Sequence, residues 1–361
     1  MIQMLDEYLL KIARRGAERH KRKEKIEKFK AFSWFKPAML HGSQGHELTT
    51  ILVTRGCRHQ QSETTGCTMC GYFKDSASRP LNDDDVIAQF QDVMKKHEVD
   101  LKTHDNIVLK IFNSGSFLDP KEISKTVMRE ILSMAKQCEN IKEIAVESRP
   151  EFINEDIIQE MKRSIREEQF IEVGIGLETW NDTIRQEFIN KGFLLSDFTE
   201  AHRVLQSAGV GTKVYLFLKP LFLNENIAIG DLIKSINHLY EMGVSTISIN
   251  PAAIHEGTIM SYFWNKNQYR PPWLWSVMYL LYRTLKMEKR DKNTLIICDP
   301  VAGGKRRGAH NCNDDRCNES ALAIISQAIA QQKPIKQLHP SFHIRHQTCN
   351  CVLEWMDDVC L

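Results

Sequence analysis

The stretch that decides the fold begins with Leu48-Thr-Thr-Ile-Leu-Val-Thr54, continues through Arg55-Gly-Cys57, and ends in Gly66-Cys67-Thr-Met-Cys70-Gly-Tyr72. An apolar, β-branched run is typical of a buried strand, and the glycines after it indicate a loop. Three thiols in one loop indicate a metal site. An iron–sulfur cluster held by only three cysteines keeps one iron open to a small molecule. This stretch therefore predicts an enzyme.

The residues alone leave a second interpretation of this loop open. Cys57, Cys67 and Cys70 also fit a tetrahedral zinc site that His59 or a distant thiol completes. Zinc in such a closed site stabilises a fold, whereas an open iron does chemistry. The surrounding sequence has to distinguish the two.

The composition is that of an ordinary globular protein. The 361 residues are 42% hydrophobic and 26% charged, and the net charge is only +2. No apolar run approaches the roughly 20 residues that span a bilayer, and the N-terminus lacks the pattern of a secretory signal. Ten cysteines without such a signal predict a cytoplasmic protein whose thiols bind metals rather than form disulfides.

Residues 1–46 are predicted to form a basic helical extension. Basic residues crowd between Lys11 and Lys30, and Leu5, Leu9 and Ile12 recur at helical spacing. Such a helix is either a solvated surface or an arm that contacts phosphates.

Residues 47–260 alternate β-like runs with helical patterns. Almost wholly apolar runs such as Val214–Leu218 suit strands that are covered on both faces. Six β–α units predict a parallel sheet with right-handed crossovers, and six are too few for the eight-stranded barrel. We therefore predict an α/β fold with an open, partial (β/α)6 barrel. The predicted strands are 49–54, 106–112, 143–147, 172–177, 212–218 and 245–250, the predicted helices are 83–97, 121–137, 154–168, 196–208 and 228–241, and Asn154 and Asn226 are predicted helix caps.

Polar and small residues follow each predicted strand, where ligands bind in such folds. The second strand leads into Asn113-Ser-Gly-Ser-Phe-Leu-Asp119, the third ends in Glu147-Ser-Arg149, and the fourth reaches Glu178. Taken singly, a Gly-Ser turn or a carboxylate at a strand end has an ordinary structural explanation. Their recurrence after successive strands favours a single ligand site.

Residues 261–361 are predicted to form a small C-terminal module that binds metal and tRNA. A long helix up to about Arg290 and a short strand over 294–298 precede its cysteines. Two close cysteine pairs are typical of a zinc site, and a second iron–sulfur cluster is the competing interpretation. Cys138 and Cys298 lack such neighbours and are predicted to be core residues. The predicted zinc ligands are Cys312, Cys317, Cys349 and Cys351, with His310, His343 or His346 as substitutes.

The cysteine loop resembles the cluster-binding motif of the radical S-adenosylmethionine (SAM) superfamily, usually Cys-x3-Cys-x2-Cys after the first strand of a partial (β/α)6 barrel. Residues 47–260 are similar to the branch that contains the Elongator catalytic subunit. Here the gap between Cys57 and Cys67 is wider, and Met69 stands where an aromatic residue is frequent. The wide gap is a variant associated with that branch.

The resemblance implies that Cys57, Cys67 and Cys70 hold a [4Fe-4S] cluster and that SAM chelates its open iron. Electron transfer into SAM would then give methionine and a 5′-deoxyadenosyl radical. The SAM-binding positions that the resemblance implies are Ser114, Gly115 and Ser116 for the methionyl amine, Glu147 and Arg149 for the methionine or ribose, Glu178 at the end of the fourth predicted strand, and Tyr72 for the adenine.

The segments 112–119, 146–150 and 214–220, together with the C-terminal cysteines, are similar to the radical SAM subunits of archaeosine synthase. This implies an archaeal tRNA substrate, an electron donor, and a partner transferase that attaches lysine to 7-cyano-7-deazaguanine at tRNA position 15. The radical enzyme would cleave a carbon–nitrogen bond of that adduct to give archaeosine. By position, Lys213, Tyr215 and Lys219 are the candidate proton donors.

Binding of tRNA would draw on the N-terminal arm, on Lys305-Arg306-Arg307 and on the region of Arg345 and His346. Two other functions stay open at this point. One is a radical SAM enzyme with another RNA or a small-molecule substrate. The other is a zinc-dependent nucleic-acid-binding protein without turnover.

Overall fold

A computed structural model describes Lys11 and residues 30–62, 66–77, 81–291 and 293–359. The basic helix predicted between Lys11 and Lys30 therefore lies outside the described residues, apart from its two ends. No helix in the described part of the chain is long and apolar enough to cross a membrane.

One curled sheet of eight strands, arranged in chain order, organises the molecule. The first strand pairs antiparallel with the second, and every later neighbouring pair is parallel. The predicted α/β half-barrel is thus confirmed, and its six predicted strands are β2 to β7. The strands are β1 Phe32–Met39, β2 Gln44–Leu52, β3 Ile107–Asn113, β4 Ile141–Glu147, β5 Phe170–Glu178, β6 Gly211–Leu218, β7 Thr246–Pro251 and β8 Leu295–Ile297.

Helices connect the parallel strands and cover the outside of the sheet. Asn154 caps its helix as predicted, because its side chain accepts a hydrogen bond from the Ile157 backbone N–H at 3.1 Å. The second cap is Asn224 rather than Asn226, since Asn224 has extended backbone and accepts from Ile227 N–H at 2.8 Å. The α-helices are α1 Asp83–Lys96, α2 Glu98–Thr103, α3 Lys125–Gln137, α4 Glu155–Arg163, α5 Leu195–Ser207, α6 Glu225–Met242, α7 Ile259–Asn265, α8 Leu274–Lys286, α9 Asp315–Gln331, α10 Pro340–Arg345 and α11 Cys351–Val359.

The sheet extends beyond the predicted barrel at both ends. β1 lies within residues 1–46, so that segment is not helical throughout. Phe32 and Trp34 on β1 are exposed, as expected for an edge strand. β8 pairs with β7, so the sheet also continues past residue 260. The division of the chain into three domains stays a prediction.

Two apolar cores hold the elements together. The main core fills the space between sheet and helices, and each fully buried Leu or Ile in it contributes about 1.5–3 kcal/mol. A smaller core joins the ends of β6 and β7 to α7, and Met69 of the cysteine loop packs against it. This small core fixes the cysteine loop relative to the carboxyl ends of the strands.

Candidate active site and cysteine clusters

The cysteine loop leaves the carboxyl end of β2 and is tied to the loop that follows β3. The Thr54 hydroxyl donates to one Glu122 carboxylate oxygen at 2.5 Å, and the other accepts from the Ser116 backbone N–H at 2.7 Å. A Cβ at Gly115 would lie 2.8 Å from the Cys57 backbone nitrogen, so only glycine permits this approach. Glu122, which sequence analysis missed, therefore holds the two loops together.

The wide insertion between the first two cysteines is anchored on the segment that follows β5. The Asn190 amide donates to the Gly66 carbonyl at 2.7 Å, and the His59 imidazole lies 2.7 Å from the Asn190 carbonyl. The Thr68 backbone N–H donates to Ile189 O at 2.9 Å. These contacts give the insertion a role in positioning Cys67. The His59 imidazole contacts the Asn190 carbonyl rather than a thiol.

Cys67 and Cys70 lie in an environment that disfavours the anionic form of their thiols. Burial raises the pKa of the Cys67 thiol, although Lys191 acts in the opposite direction. Burial also raises the pKa of Cys70 to about 12. Thiolates at these positions need a bound cation, which a metal centre supplies.

Unpartnered polar groups lie next to Cys57. The Ser114 hydroxyl and the Asn113 side-chain oxygen are buried without a hydrogen-bond partner within the described residues. Because buried polar groups are nearly always hydrogen-bonded in native proteins, such orphans indicate a ligand site. A ligand with amine and carboxylate groups, such as the methionyl part of SAM, fits these donors and acceptors.

Glu147 and Tyr215 meet inside the half-barrel. Burial raises the pKa of Glu147, although a hydrogen bond from the Tyr215 hydroxyl opposes that shift. Burial, together with the Glu147 charge, raises the pKa of Tyr215 far enough to keep its hydroxyl protonated. A Cβ at Gly174 would lie 2.8 Å from the Tyr215 ring, so the small residue leaves room for the pair.

Lys213 extends into the same interior. Its ammonium nitrogen lies 5.0 Å from the centre of the Tyr215 ring and 5.9 Å from that of Phe112. Burial, followed by repulsion from Lys110, lowers the pKa of Lys213. No carboxylate forms an ion pair with Lys213 among the residues that the structure covers. Lys213 is therefore a buried amine with a lowered pKa that lies beside the Tyr215 ring.

The third candidate proton donor has a different environment. Lys219 lies 2.6 Å from the Glu225 carboxylate, and both side chains are buried. The structure thus brings Lys213 and Tyr215 together and places Lys219 in an ion pair after β6.

Two further predicted SAM-binding residues, Glu178 and Arg149, also have partners within the protein. Glu178 forms a 2.6 Å ion pair with Lys191, and this charge raises the pKa of Lys191 although burial lowers it. Arg149 donates to Glu151 at 2.5 Å and to the Lys191 carbonyl at 3.0 Å. Both side chains therefore border the site from a fixed position. Lys191 itself was missed, because no strand or spacing singles it out in the sequence.

Tyr72 lies half exposed beside His255, with their ring centres 5.5 Å apart. A Cβ at Gly71 would lie 2.4 Å from the His255 Cβ, so the chain after Cys70 passes directly over that histidine. His255 is a third residue that sequence analysis missed, and its place shortly after the end of β7 was the available signal.

The C-terminal cysteines form a closed cluster. Cys312 and Cys349 have sulfurs 3.7 Å apart, and so do Cys317 and Cys351. All four sulfurs lie within 4.8 Å of one another, and no other such group of possible ligands occurs in the described ranges. A tetrahedral zinc with Zn–S bonds of about 2.3 Å requires sulfurs about 3.8 Å apart. The observed spacing matches a mononuclear centre.

The histidines named as substitute ligands have other partners. His310 contacts the Gly308 carbonyl at 2.8 Å, and His343 contacts Thr348 and the Gln337 carbonyl at 3.0 and 2.7 Å. His346 packs against the Phe342 ring with ring centres 4.3 Å apart. Since the four thiols alone supply four ligands, no histidine is required.

Side-chain donors surround the four thiols. The Trp275 indole N–H lies 3.3 Å from the Cys351 sulfur, and the Asn311 amide lies 3.6 Å from that of Cys317. Donors of this kind orient ligands and stabilise thiolates around a metal. The cluster also clamps α9 to α11.

The basic loop Lys305-Arg306-Arg307 lies exposed beside the barrel mouth. The Arg307 carbonyl accepts from the Ile254 backbone N–H at 2.6 Å, which places the loop against the chain that leaves β7. Lys305 lies 3.7 Å from exposed Asp315. Arg345 and His346 are exposed at the end of α10.

Comparison with known proteins gives clear relatives, although no protein-family model matches the chain. Archaeosine synthase subunit beta from Methanosarcina acetivorans is 39% identical over 282 residues, which cover 78% of this chain and 78% of that protein. Archaeosine synthase subunit beta from Thermococcus kodakarensis is 33% identical over 325 residues, which cover 89% of this chain and 98% of that protein.

Similar solved structures share little sequence with the chain. The archaeal Elp3 of Methanocaldococcus infernus aligns with a TM-score of 0.49 and 14% identity, over 67% of this chain and 58% of that chain. Methylornithine synthase aligns with a TM-score of 0.44 and 13% identity, over 93% of both chains.

Proposed function

The chain belongs to the archaeosine synthase subunit beta family of radical SAM enzymes, and we propose that it cleaves the carbon–nitrogen bond of the lysine adduct of 7-cyano-7-deazaguanine at tRNA position 15. The product is archaeosine. The observation that carries this proposal is a loop of three thiols, Cys57, Cys67 and Cys70, beside the unpartnered hydroxyl of Ser114.

In this proposal Cys57, Cys67 and Cys70 would hold a [4Fe-4S] cluster with one iron left open to SAM. With one electron from an external donor, the cluster and SAM would supply the radical chemistry of the reaction. The chain's own residues position SAM: the loop of Ser114, Gly115 and Ser116 contacts the amino-acid end, and Glu147 meets the ribose or methionine. A reactive radical requires a site from which water is excluded, and the Lys213 side chain at this site is buried.

Lys213 is the proposed proton donor. Cleavage that leaves nitrogen on the base and releases the rest of the lysine requires proton transfer near the departing fragment. An ammonium whose pKa is lowered by burial gives up its proton more readily than an exposed lysine. Tyr215 positions Lys213 through its ring and holds Glu147 through its hydroxyl. Lys219 is less suited, because Glu225 neutralises it.

The tRNA is proposed to bind across the basic loop Lys305-Arg306-Arg307 and the basic N-terminal arm, which provide phosphate contacts. The relatives are named as beta subunits, which supports a partner subunit for this chain. We propose that the partner is the lysine transferase that makes the adduct. An electron donor has to reduce the cluster.

The C-terminal cysteines are proposed to bind one zinc ion. The 3.7 Å separation of the sulfurs supports one tetrahedral metal rather than a second iron–sulfur cluster. With all four positions filled by protein sulfur, the site has no vacancy for substrate and stabilises the C-terminal helices.

The test is turnover on defined tRNA. Anaerobically purified protein is incubated with a reductant, SAM and tRNA that carries the lysine adduct, and the nucleosides are analysed by mass spectrometry. We expect archaeosine and 5′-deoxyadenosine to form together, with neither formed by Cys57→Ser. Cleavage of SAM without a change in the tRNA would reject this substrate, and a colourless protein without iron would favour the non-catalytic zinc protein.

A further inference from the structure

A cavity of about 380 Å³ lies at the carboxyl end of β6. Its walls are the loop after β6, the start of α6, Phe263, residues 268–270 and Asp358 of α11. The volume falls within the ~300–1,000 Å³ of small-molecule sites. We propose that this cavity binds the nucleobase next to the modified tRNA nucleotide, a proposal that rests on the tRNA substrate of the proposed function.

Phe222 provides the stacking surface. Its side chain is 54% exposed, which is unusual for a phenylalanine at the lip of a cavity. The ring is supported edge-on by Phe263 and Phe188, with ring centres 5.2 and 5.9 Å away. A supported, exposed aromatic ring is what an unstacked base packs against in single-stranded nucleic-acid sites.

The backbone at this lip is strained. Phe222 has φ of 68° and Lys219 has φ of 70°, in the left-handed region that bulky residues rarely adopt. The Tyr269 hydroxyl donates to the Lys219 carbonyl at 2.7 Å and holds the turn in place. Strained residues of this kind cluster at ligand sites, where the surrounding structure enforces them.

The polar groups of the cavity balance in charge. Lys219 is paired with Glu225 at 2.6 Å, and the Arg270 guanidinium stacks on Trp273 at 3.7 Å. Asp358 accepts from the Trp273 indole N–H at 2.7 Å. With two cations and two carboxylates, the cavity has no excess positive charge for a phosphate. Aromatic walls with both donors and acceptors suit an uncharged nucleobase.

The position of the cavity links it to both parts of the proposed tRNA path. Phe263 and Tyr269 pack on the same small core as Met69 of the cysteine loop. Arg270 donates to the His310 carbonyl at 2.9 Å, directly after the basic loop. Extruding a base into the half-barrel unstacks its neighbours. The cavity offers one neighbour a new stacking partner.

Photocrosslinking tests this assignment. Full-length protein is bound to tRNA with 5-iodouridine on either side of the modified nucleotide, irradiated, and the crosslinked peptide is identified by mass spectrometry. We expect the crosslink at Phe222. Phe222→Leu should lose the crosslink and bind tRNA about tenfold more weakly, whereas Phe222→Tyr, which keeps the ring, should behave like the wild type. Val99→Ala on α2 changes an exposed apolar residue elsewhere and serves as the control.

The outcomes separate this inference from the function on which it rests. Wild-type protein that binds tRNA but crosslinks only outside the cavity would overturn the nucleobase site alone. Phe222→Leu with unchanged crosslinking would overturn it as well. Wild-type protein that does not bind tRNA would remove the proposed substrate and the nucleobase site together.

Discussion

The two cysteine clusters differ in how completely the protein surrounds the space between the sulfurs. The four C-terminal sulfurs lie within 4.8 Å of one another and can supply all four ligands of one metal ion. The three thiols of the β2 loop instead border a half-barrel that contains Glu147, Tyr215 and Lys213. A closed set of ligands suits a metal that stabilises the fold, and an incomplete set suits a metal that binds a reactant.

The two clusters also differ in whether the polar side chains around them have hydrogen-bond partners. Around the C-terminal sulfurs, the donors Trp275 and Asn311 point at the thiols themselves. Around the β2 loop, the Ser114 hydroxyl has no partner, and Lys213 has no ion pair, within the described residues. These polar groups at the β2 loop lack partners in the described part of the chain, whereas those at the C-terminal cluster donate to the thiols. This difference favours a ligand site at the β2 loop alone.

Removing one thiol from each cluster should give the largest contrast. Cys57→Ser should lose iron and all turnover, because three sulfurs are the minimum set for the proposed cluster. Its melting temperature should change far less than that of a variant of the other cluster. Iron and sulfide analysis, with an assay of SAM cleavage, measures the effect. Turnover by Cys57→Ser at the wild-type rate would contradict a catalytic role for the β2 loop.

Replacing Lys213 by Met should lower turnover by about 10²–10⁴-fold, the range for loss of a general acid. A proton donor works in its protonated form, so wild-type activity should fall as pH rises through the lowered pKa of Lys213, below the ordinary 10.5. Lys213→Met should lack this alkaline decline. A pH–rate profile that is the same in both proteins would exclude Lys213 as the donor.

The same variant should not be destabilised. At pH values between its lowered pKa and 10.5, Lys213 binds fewer protons in the folded chain than in the unfolded chain. Its contribution to the free energy of unfolding therefore becomes more favourable as the pH rises through this range. At neutral pH the buried ammonium is a cost that Met removes. Thermal unfolding at pH 7 should therefore show Lys213→Met at least as stable as the wild type, and a large drop in melting temperature would mean that the lost activity reflects unfolding.

Cys317→Ser should act on stability instead of chemistry. Loss of the metal that joins α9 to α11 should lower the free energy of unfolding by about 4 kcal/mol or more, measured by denaturant titration. Iron should remain bound at the β2 loop. Cys138→Ser, which changes a partly buried thiol outside both clusters, is the matched control. Equal stability of the two variants would contradict a structural metal.

Much of this architecture is encoded locally. The run over 172–177 predicted β5, which spans Phe170–Glu178, because apolar β-branched residues in a covered strand carry a strong signal. β1 was missed, since Pro37 inside Phe32–Met39 is typical of a loop unless the strand lies at an edge of the sheet.

The candidate site, like the fold, was predictable only where local sequence carries the signal. Cysteine spacing predicted the C-terminal cluster, whose four sulfurs the structure brings together. The cluster at Cys57, Cys67 and Cys70 stays a prediction. Contacts between distant segments were not predictable, such as Asn190 with Gly66 and Lys219 with Glu225. No sequence period or turn rule encodes such pairs, because they arise only once the sheet brings its strand ends together.

The smallest effect is expected at the protein surface. Changing Lys305, Arg306 and Arg307 together to Ala should weaken tRNA binding about tenfold and reduce its dependence on salt concentration, since phosphate contacts release counterions. Binding titrations at several salt concentrations measure both effects. The matched control changes exposed Lys95, Lys102 and Lys136 on the outer helices. Equal affinity of the two triple variants would exclude the loop from the tRNA interface.

The central claim is that the β2 loop holds a cluster with an open iron and that the C-terminal cysteines hold a closed, single metal. Electron paramagnetic resonance of the reduced, anaerobically purified protein, recorded with and without SAM, tests it most directly. We predict a cluster signal that changes when SAM is added, and elemental analysis of the same sample should give about four irons and one zinc per chain. A signal that SAM leaves unchanged, or a β2 loop that binds one tetrahedral metal, would contradict the claim.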